Sequence, residues 1–144
     1  MNKKELAEAL AAVPLFARCT KRDLRTIARH IEIMTLADGT EVVTQGDAGE
    51  TFFFVMSGEL AVIQDGIQTT TLGPHDHFGE LALLDPAPRS ATVRAIGEVE
   101  LAALSVRMFR VLLRDMPQIS AGMLGSLASQ LRDAWATQAR PPTD

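Results

Sequence analysis

Seven of the ten glycines fall between Gly39 and Gly79, and that interval also holds TFFFVMSG, AVIQ and IQTTTL, short runs rich in β-branched and aromatic residues. Glycine at this density disfavours helix and favours turns, whereas the runs between suit strands. Asp65-Gly66 alone separates AVIQ from IQTTTL. That dipeptide is preferred where a two-residue hairpin needs positive φ at both central positions, so the middle of the chain folds antiparallel. Further runs, HIEIMTL before Asp38-Gly39 and then SATVRAI and VELAAL around Gly97, extend the pattern. The expectation over residues 31–104 is a barrel or an eight-stranded double-sheet jelly roll.

Both ends read as helix. The opening MNKKELAEALAAV has lysines ahead of an alanine-rich run, but Glu5 and Glu8 interrupt it, which makes an amphipathic helix and not a leader peptide. In TKRDLRTIARH, Thr20 is an N-cap and Leu24, Ile27 and Ala28 share a face. Ser105 caps VRMFRVLLRDM in the same way, and Pro117 separates it from QISAGMLGSLASQLRDAWATQAR. The layout is therefore N-terminal helices over 1–30, the roll, and C-terminal helices over 106–139. At 144 residues the chain suits one domain, 1–144, of an α+β, mainly β class.

With 14 basic and 18 acidic residues the net charge is −4, so long-range attraction to nucleic acid or anionic lipid is not expected, and any bound anion must be held locally. The single cysteine, Cys19, excludes an intrachain disulfide framework. No apolar run approaches the ~18 residues a membrane span needs, so no membrane insertion and a cytoplasmic location are expected. A nucleophile–base constellation, a metal cluster and a Walker-type loop are all missing from the sequence, which argues against an enzyme. His75 and His77 have no cysteine or further histidine near them in sequence, so no metal is assigned.

The segment FGELALLDPAPRSATV carries the chemistry. A short helix from Gly79 through Leu84 would point its first amides outward with the positive end of its dipole behind them, a setting for a small anion. Asp85-Pro86-Ala87-Pro88 would end that helix in a rigid turn, because residues before proline avoid the α region. Arg89 then re-enters the fold with a permanently charged planar fork suited to phosphate, and Ser90 adds a hydroxyl. Glu80 is out of place for an anion alone but can accept hydrogen bonds from sugar hydroxyls. Sugar and phosphate on one ligand make a nucleotide.

Phe78-Gly79-Glu80-Leu81-Ala82-Leu83 followed by Pro88-Arg89-Ser90-Ala91-Thr92-Val93 resembles the phosphate-binding cassette of cyclic nucleotide-binding domains. Gly39, Gln45-Gly46-Asp47, Phe54 and Ser57-Gly58-Glu59 extend the resemblance over about residues 10 to 137. It implies that Glu80 accepts the ribose 2'-hydroxyl and that Arg89 binds the exocyclic phosphate oxygens. Phe78, Gly79, Leu81, Ala82, Ser90 and Ala91 would line the sugar and phosphate. Ser90, where cGMP binders favour threonine, leans the ligand toward cAMP, with cGMP still admissible. No other cofactor is implied. The sequence departs from the family at His75, where glycine is commonest, and at Ala134-Trp135, where the catabolite activator has a Thr-Ser pair that meets adenine.

Leu131, Ala134 and Trp135 are candidates for a lid over the base. The stripe of Leu124, Leu127, Leu131 and Trp135 on the last helix fits either packing on the roll or a homodimer contact. No direct DNA binding is expected, because the helix-turn-helix of activator relatives does not follow before Asp144. The first functional reading is a non-catalytic cyclic nucleotide sensor that signals through its C-terminal helices to a downstream protein or a second copy. The alternative is a degenerate fold of this family that serves as a protein-interaction module without nucleotide binding.

Overall fold

The computed structural model describes residues 2–139, which form two compact units, residues 30–111 and Asn2–Arg29 with the chain from Leu112 onward. The first unit is the roll. Its strands are β1 (Glu32–Leu36), β2 (Glu41–Val43), β3 (Thr51–Gln64), β4 (Ile67–Leu72), β5 (His77–Phe78) and β6 (Thr92–Ser105). They form one antiparallel system in the order β1-β6-β3-β4, with β2 also on β6 and β5 also on β3.

Six strands are assigned among the described residues where the sequence suggests eight. The difference arises at glycine. TFFFVMSG and AVIQ are two parts of the single 14-residue β3, and SATVRAI and VELAAL are joined in the equally long β6. Gly58 sits in β3 at φ +88°, where an added Cβ would come within 2.5 Å of the Glu98 carbonyl oxygen. The β3–β6 register shifts on both sides of that point, between Val55 and Ser57 and between Ser57 and Glu59. A bulge of this kind bends a strand sharply without ending it. At the tip between β3 and β4, Asp65 and Gly66 have φ of 52° and 78°, the paired positive angles expected of that dipeptide.

Strand alternation puts Phe53, Val55, Leu60, Val93, Ala95, Val99, Leu101 and Ala103 in one buried cluster. Met34, Leu36, Val43, Val62, Leu72 and Phe78 pack against it, partly covered. This is the inner lining of the roll, and its incompletely covered members mark where the interior opens.

The second unit holds α1 (Lys3–Leu10), α2 (Lys21–Arg29) and α4 (Pro117–Ala139), while α3 (Val106–Asp115) runs into it from the first. Thr20 caps α2, its hydroxyl accepting from the Asp23 amide at 3.1 Å, and Ser105 accepts from the Met108 amide at 3.1 Å to cap α3. Asn2 does the same for α1 through the Glu5 amide at 2.8 Å. Lys3 donates to the Ala28 carbonyl at 2.8 Å, fastening α1 to α2. Ser126 on α4 accepts from the Arg18 amide at 3.0 Å and donates to the Gly122 carbonyl at 3.1 Å, which satisfies a hydroxyl that is 2% exposed. Among the described residues no helix is long and apolar enough to cross a membrane.

Candidate functional site

The roll carries an open cavity of about 560 Å³ lined wholly by its own residues. Phe78, Gly79, Glu80, Leu81, Ala82, Arg89, Ser90 and Ala91, the eight ligand-binding candidates read from the sequence, all stand on its wall. Leu131, Ala134 and Trp135 lie on α4 in the other unit, where Leu131 is 53% and Trp135 63% exposed.

The short helix expected of the cassette is present and is of the 3-10 type. Gly79 takes the left-handed conformation, φ 80°, and Glu80–Leu83 form a single 3-10 turn closed by Ala82 donating to the Gly79 carbonyl at 3.1 Å. Ala82 and Leu83 are buried and anchor the turn, while Leu81 is 63% exposed. The proline-bounded segment after it is tied down from the other side. Arg89 donates its amide to the Asp47 carbonyl at 2.8 Å, Gly46 donates to the Arg89 carbonyl at 2.8 Å, and Gly49 donates to the Ala87 carbonyl at 2.9 Å. Gln45 extends the strapping by bonding Asp65 through both ends of its amide, at 2.8 and 2.9 Å.

Arg89 is the centre of the arrangement. Its Nη2 donates to the Thr51 carbonyl at 2.6 Å, and the guanidinium lies 5.9 Å from the centroid of Phe53, which itself stacks on Phe78 at 5.0 Å. Two glycines make room for it. A Cβ at Gly79 would approach Nη1 to 2.5 Å and the Thr51 oxygen to 2.6 Å, and a Cβ at Gly49 would approach Nε to 2.9 Å and the Ala87 oxygen to 2.8 Å. The fold thus grips the fork on both sides.

What the fold withholds is a counter-ion. Among the described residues no carboxylate lies within ion-pair distance of Arg89, and its buried Nε has no hydrogen-bond partner. Burial alone lowers its pKa from the ordinary arginine value. The group remains cationic, because an arginine cannot give up its proton at any ordinary pH. A half-buried cation with donors unspent, facing a cavity, is a receptor for an anion.

Sequence reasoning missed the rest of the wall. Val43, Val62, Thr70, Leu72 and Val93 line the cavity from β2, β3, β4 and β6, and Gly49 and Thr51 seat the arginine. Gly49 carried a usable signal, a glycine three residues beyond Gly46 in a turn already singled out, whereas the strand residues carried only the alternation common to any roll. The His75 ring lies 5.9 Å from Phe54 and the His77 ring 6.0 Å from Phe52, and His77 also lines the cavity, its buried Nδ1 without a hydrogen-bond partner. His75 takes φ 74°, a left-handed position usual for glycine, which matches the residue type it displaces in the family pattern.

The sequence pattern described as "Cyclic nucleotide-binding domain" matches residues 33–116, which span the roll and the cavity wall. The chain belongs to the cyclic nucleotide-binding domain family. A cAMP-dependent protein kinase regulatory subunit from Mucor circinelloides f. lusitanicus is 40% identical over 108 residues, covering 72% of this chain and 25% of that protein. A CRP-like cAMP-activated global transcriptional regulator from Mycobacterium tuberculosis is 28% identical over 130 residues, covering 87% of this chain and 58% of that one. The chain therefore spans less than two thirds of the length of each of these curated relatives. Among solved structures, the N-terminal domain of a transcriptional regulator from Streptomyces coelicolor A3(2) superposes with a TM-score of 0.80 at 30% identity, covering 88% of this chain and 94% of that one. Cyclic nucleotide-binding domains of this family are regulatory and non-catalytic, and the chain is homologous to cAMP-binding regulators.

Proposed function

We propose that the chain senses cAMP by binding it in the roll cavity, chemically unchanged, and that it relays occupancy through its C-terminal helices. Arg89 carries the reading. It is a cation held rigidly between Gly49 and Gly79 and given no carboxylate partner among the described residues, so the exocyclic phosphate of a cyclic nucleotide supplies what the fold leaves out. Glu80 accepts the ribose 2'-hydroxyl, and Ser90 with the turn at Gly79, Leu81 and Ala82 completes the anion end. Phe78 and Ala91 wall the sugar. Ser90 tilts the preference to cAMP over cGMP.

The route out is supported by continuity: β6 passes into α3 at Ser105–Val106 with no intervening loop, and α4 follows after Met116. Leu131, Ala134 and Trp135 are the lid over the base, and the recipient is a downstream protein or a second copy engaging the last helix. DNA contact is not part of the chain's own role in this reading. The protein acts in the cytoplasm, where cyclic nucleotides are made.

Calorimetric titration of cAMP and cGMP into wild type and Arg89→Ala tests the proposal. Truncating one partner of a buried charged contact costs about 2–5 kcal/mol, so the variant should bind at least ~30-fold more weakly. Wild-type protein that binds neither nucleotide would show instead that the roll is a protein-interaction module.

A further inference from the structure

We propose that the groove between α1 and α2 receives the β3–β4 hairpin tip of a second copy of this chain. The proposal goes beyond the nucleotide reading and does not depend on it, since neither surface includes a residue of the roll's cavity wall. The groove lies within the helical unit and has a volume of about 660 Å³. Buried Ala7 and Leu24 form its floor, and Ala11 lines its wall at the end of α1. Alanine at positions 7 and 11 leaves open the space that larger side chains would fill.

The rim of the groove is charged. Lys4, Lys21 and Arg25 stand on it, with Glu8 as the one carboxylate beside them. Local helix energetics do not account for that choice. Lys21 opens α2, where the positive end of the dipole disfavours a cation, and Arg25 follows four residues later on the same face as a like charge. A helix shaped only by its own stability would carry acids there. Carboxylates arriving from outside would offset both costs.

The roll offers the complement. Residues 30–104 hold twelve acidic and only two basic residues. Ile67 follows Asp65-Gly66 at the hairpin tip and is 70% exposed, the most exposed large hydrophobic side chain among the described residues. Gln45 ties Asp65 to the loop after β2, which brings Asp47 to the same corner, and Glu41 joins it through Thr44, whose hydroxyl donates to Glu41 Oε1 at 3.5 Å. All three carboxylates are exposed. An apolar knob flanked by carboxylates thus matches an apolar floor flanked by cations. Each copy carries one tip and one groove, so the contact is heterologous and needs no two-fold axis. One apolar side chain with a rim of ion pairs makes a small interface, so the association is transient and salt-sensitive.

Sedimentation velocity at rising protein concentration tests the contact. Wild type should associate in about 0.05 M salt and come apart in about 0.5 M, where exposed charges are screened. Lys21→Glu combined with Arg25→Glu should weaken association at least about 10-fold, because like charges then meet the tip. Ile67→Ser should weaken it about 10-fold through lost apolar burial. Neither change threatens the fold: an acid in the first turn of α2 suits the dipole, and position 67 is exposed. Where wild type associates, each variant alone should be monomeric, whereas an equimolar mixture pairs the intact tip of one with the intact groove of the other and should form a 1:1 complex. Wild type that stays monomeric in low salt, or a mixture that fails to pair, overturns the proposal. So does an association that both variants keep, such as one held by the exposed face of α4.

Discussion

The roll and the helical ends of this chain carry opposite charge. Residues 30–104 hold twelve of the 18 acidic and only two of the 14 basic residues, whereas the flanking segments hold the other twelve basic residues against six acidic. A protein that captured an anion by its general field would put its site among the helices. This one has its proposed phosphate site in the acidic roll, built around one of that region's two arginines. On the proposed reading recognition is local: an arginine with no carboxylate partner among the described residues, two glycines that let the backbone close on it, and an aromatic face below. The bland −4 net charge hides this division.

The largest expected effect lies on the basic side. Cys19, within the helical unit, would be activated if the surrounding lysines and arginines governed it, because nearby cations lower a thiol's pKa. Burial, and then the neighbouring Asp23 carboxylate, instead push it from 9.0 up to about 11. At pH 8 a two-unit rise leaves about 100-fold less thiolate, so alkylation by iodoacetamide should run about 100-fold slower than for a free cysteine. The same shift makes folding pH-dependent with a definite sign. The folded chain holds the proton more tightly, so the contribution is fully present below pH 9 and is lost as pH climbs through about 11. Alkylation at the rate of a free thiol would mean that the helical field outweighs burial.

Next in size is Gly79→Ala, which attacks the local device in the roll. The substitution puts a Cβ at φ 80° and 2.5 Å from Arg89 Nη1. Left-handed strain with displacement of the fork should cost about 1–3 kcal/mol in stability by chemical denaturation, and cAMP binding should fall with it. Gly49→Ala adds no positive-φ strain but brings a Cβ to 2.8 Å from the Ala87 carbonyl oxygen and 2.9 Å from Nε, so it should lower both stability and binding. If both variants bind like wild type, the grip on Arg89 is not what makes the receptor.

These glycines also show how far the sequence could be read. Cassette residues were legible because Gly79, Glu80, Pro88, Arg89 and Ser90 lie within one short stretch whose chemistry depends on local backbone, and all of them reach the cavity. Thr70, Val62 and Leu72 were not, because only pairing between β3 and β4 brings them there, and a register is not written in either strand alone. Gly58 and Gly97 read as turns for the converse reason: glycine signals a backbone exception, and a bulge and a turn use the same one. The caps at Thr20 and Ser105 are local, and each appears as expected.

A smaller effect separates the two electrostatic pictures directly. If the basic helices drew the ligand in, affinity for cAMP would drop steeply as salt screened them, whereas a contact buried in the roll is screened little. Raising ionic strength from about 0.05 to 0.5 M, a range over which the Debye length falls to about 4 Å, should therefore change the dissociation constant by less than about 3-fold. A loss of tenfold or more would return the helices to the mechanism.

The smallest expected effect is at His75, on the roll but off the cavity wall. Its φ of 74° costs a non-glycine residue strain, yet its ring lies 5.9 Å from Phe54, and its amide donates to the Val55 carbonyl at 2.8 Å. His75→Gly relieves the strain and keeps the amide, but gives up the ring contact and frees the unfolded chain, so the terms oppose one another. Thermal unfolding should shift by no more than the equivalent of about 1 kcal/mol, and cAMP affinity should not move. A change in affinity at this position would mean that the turn before the cassette steers Gly79, and the receptor would then extend beyond the two glycines and the arginine that define it here.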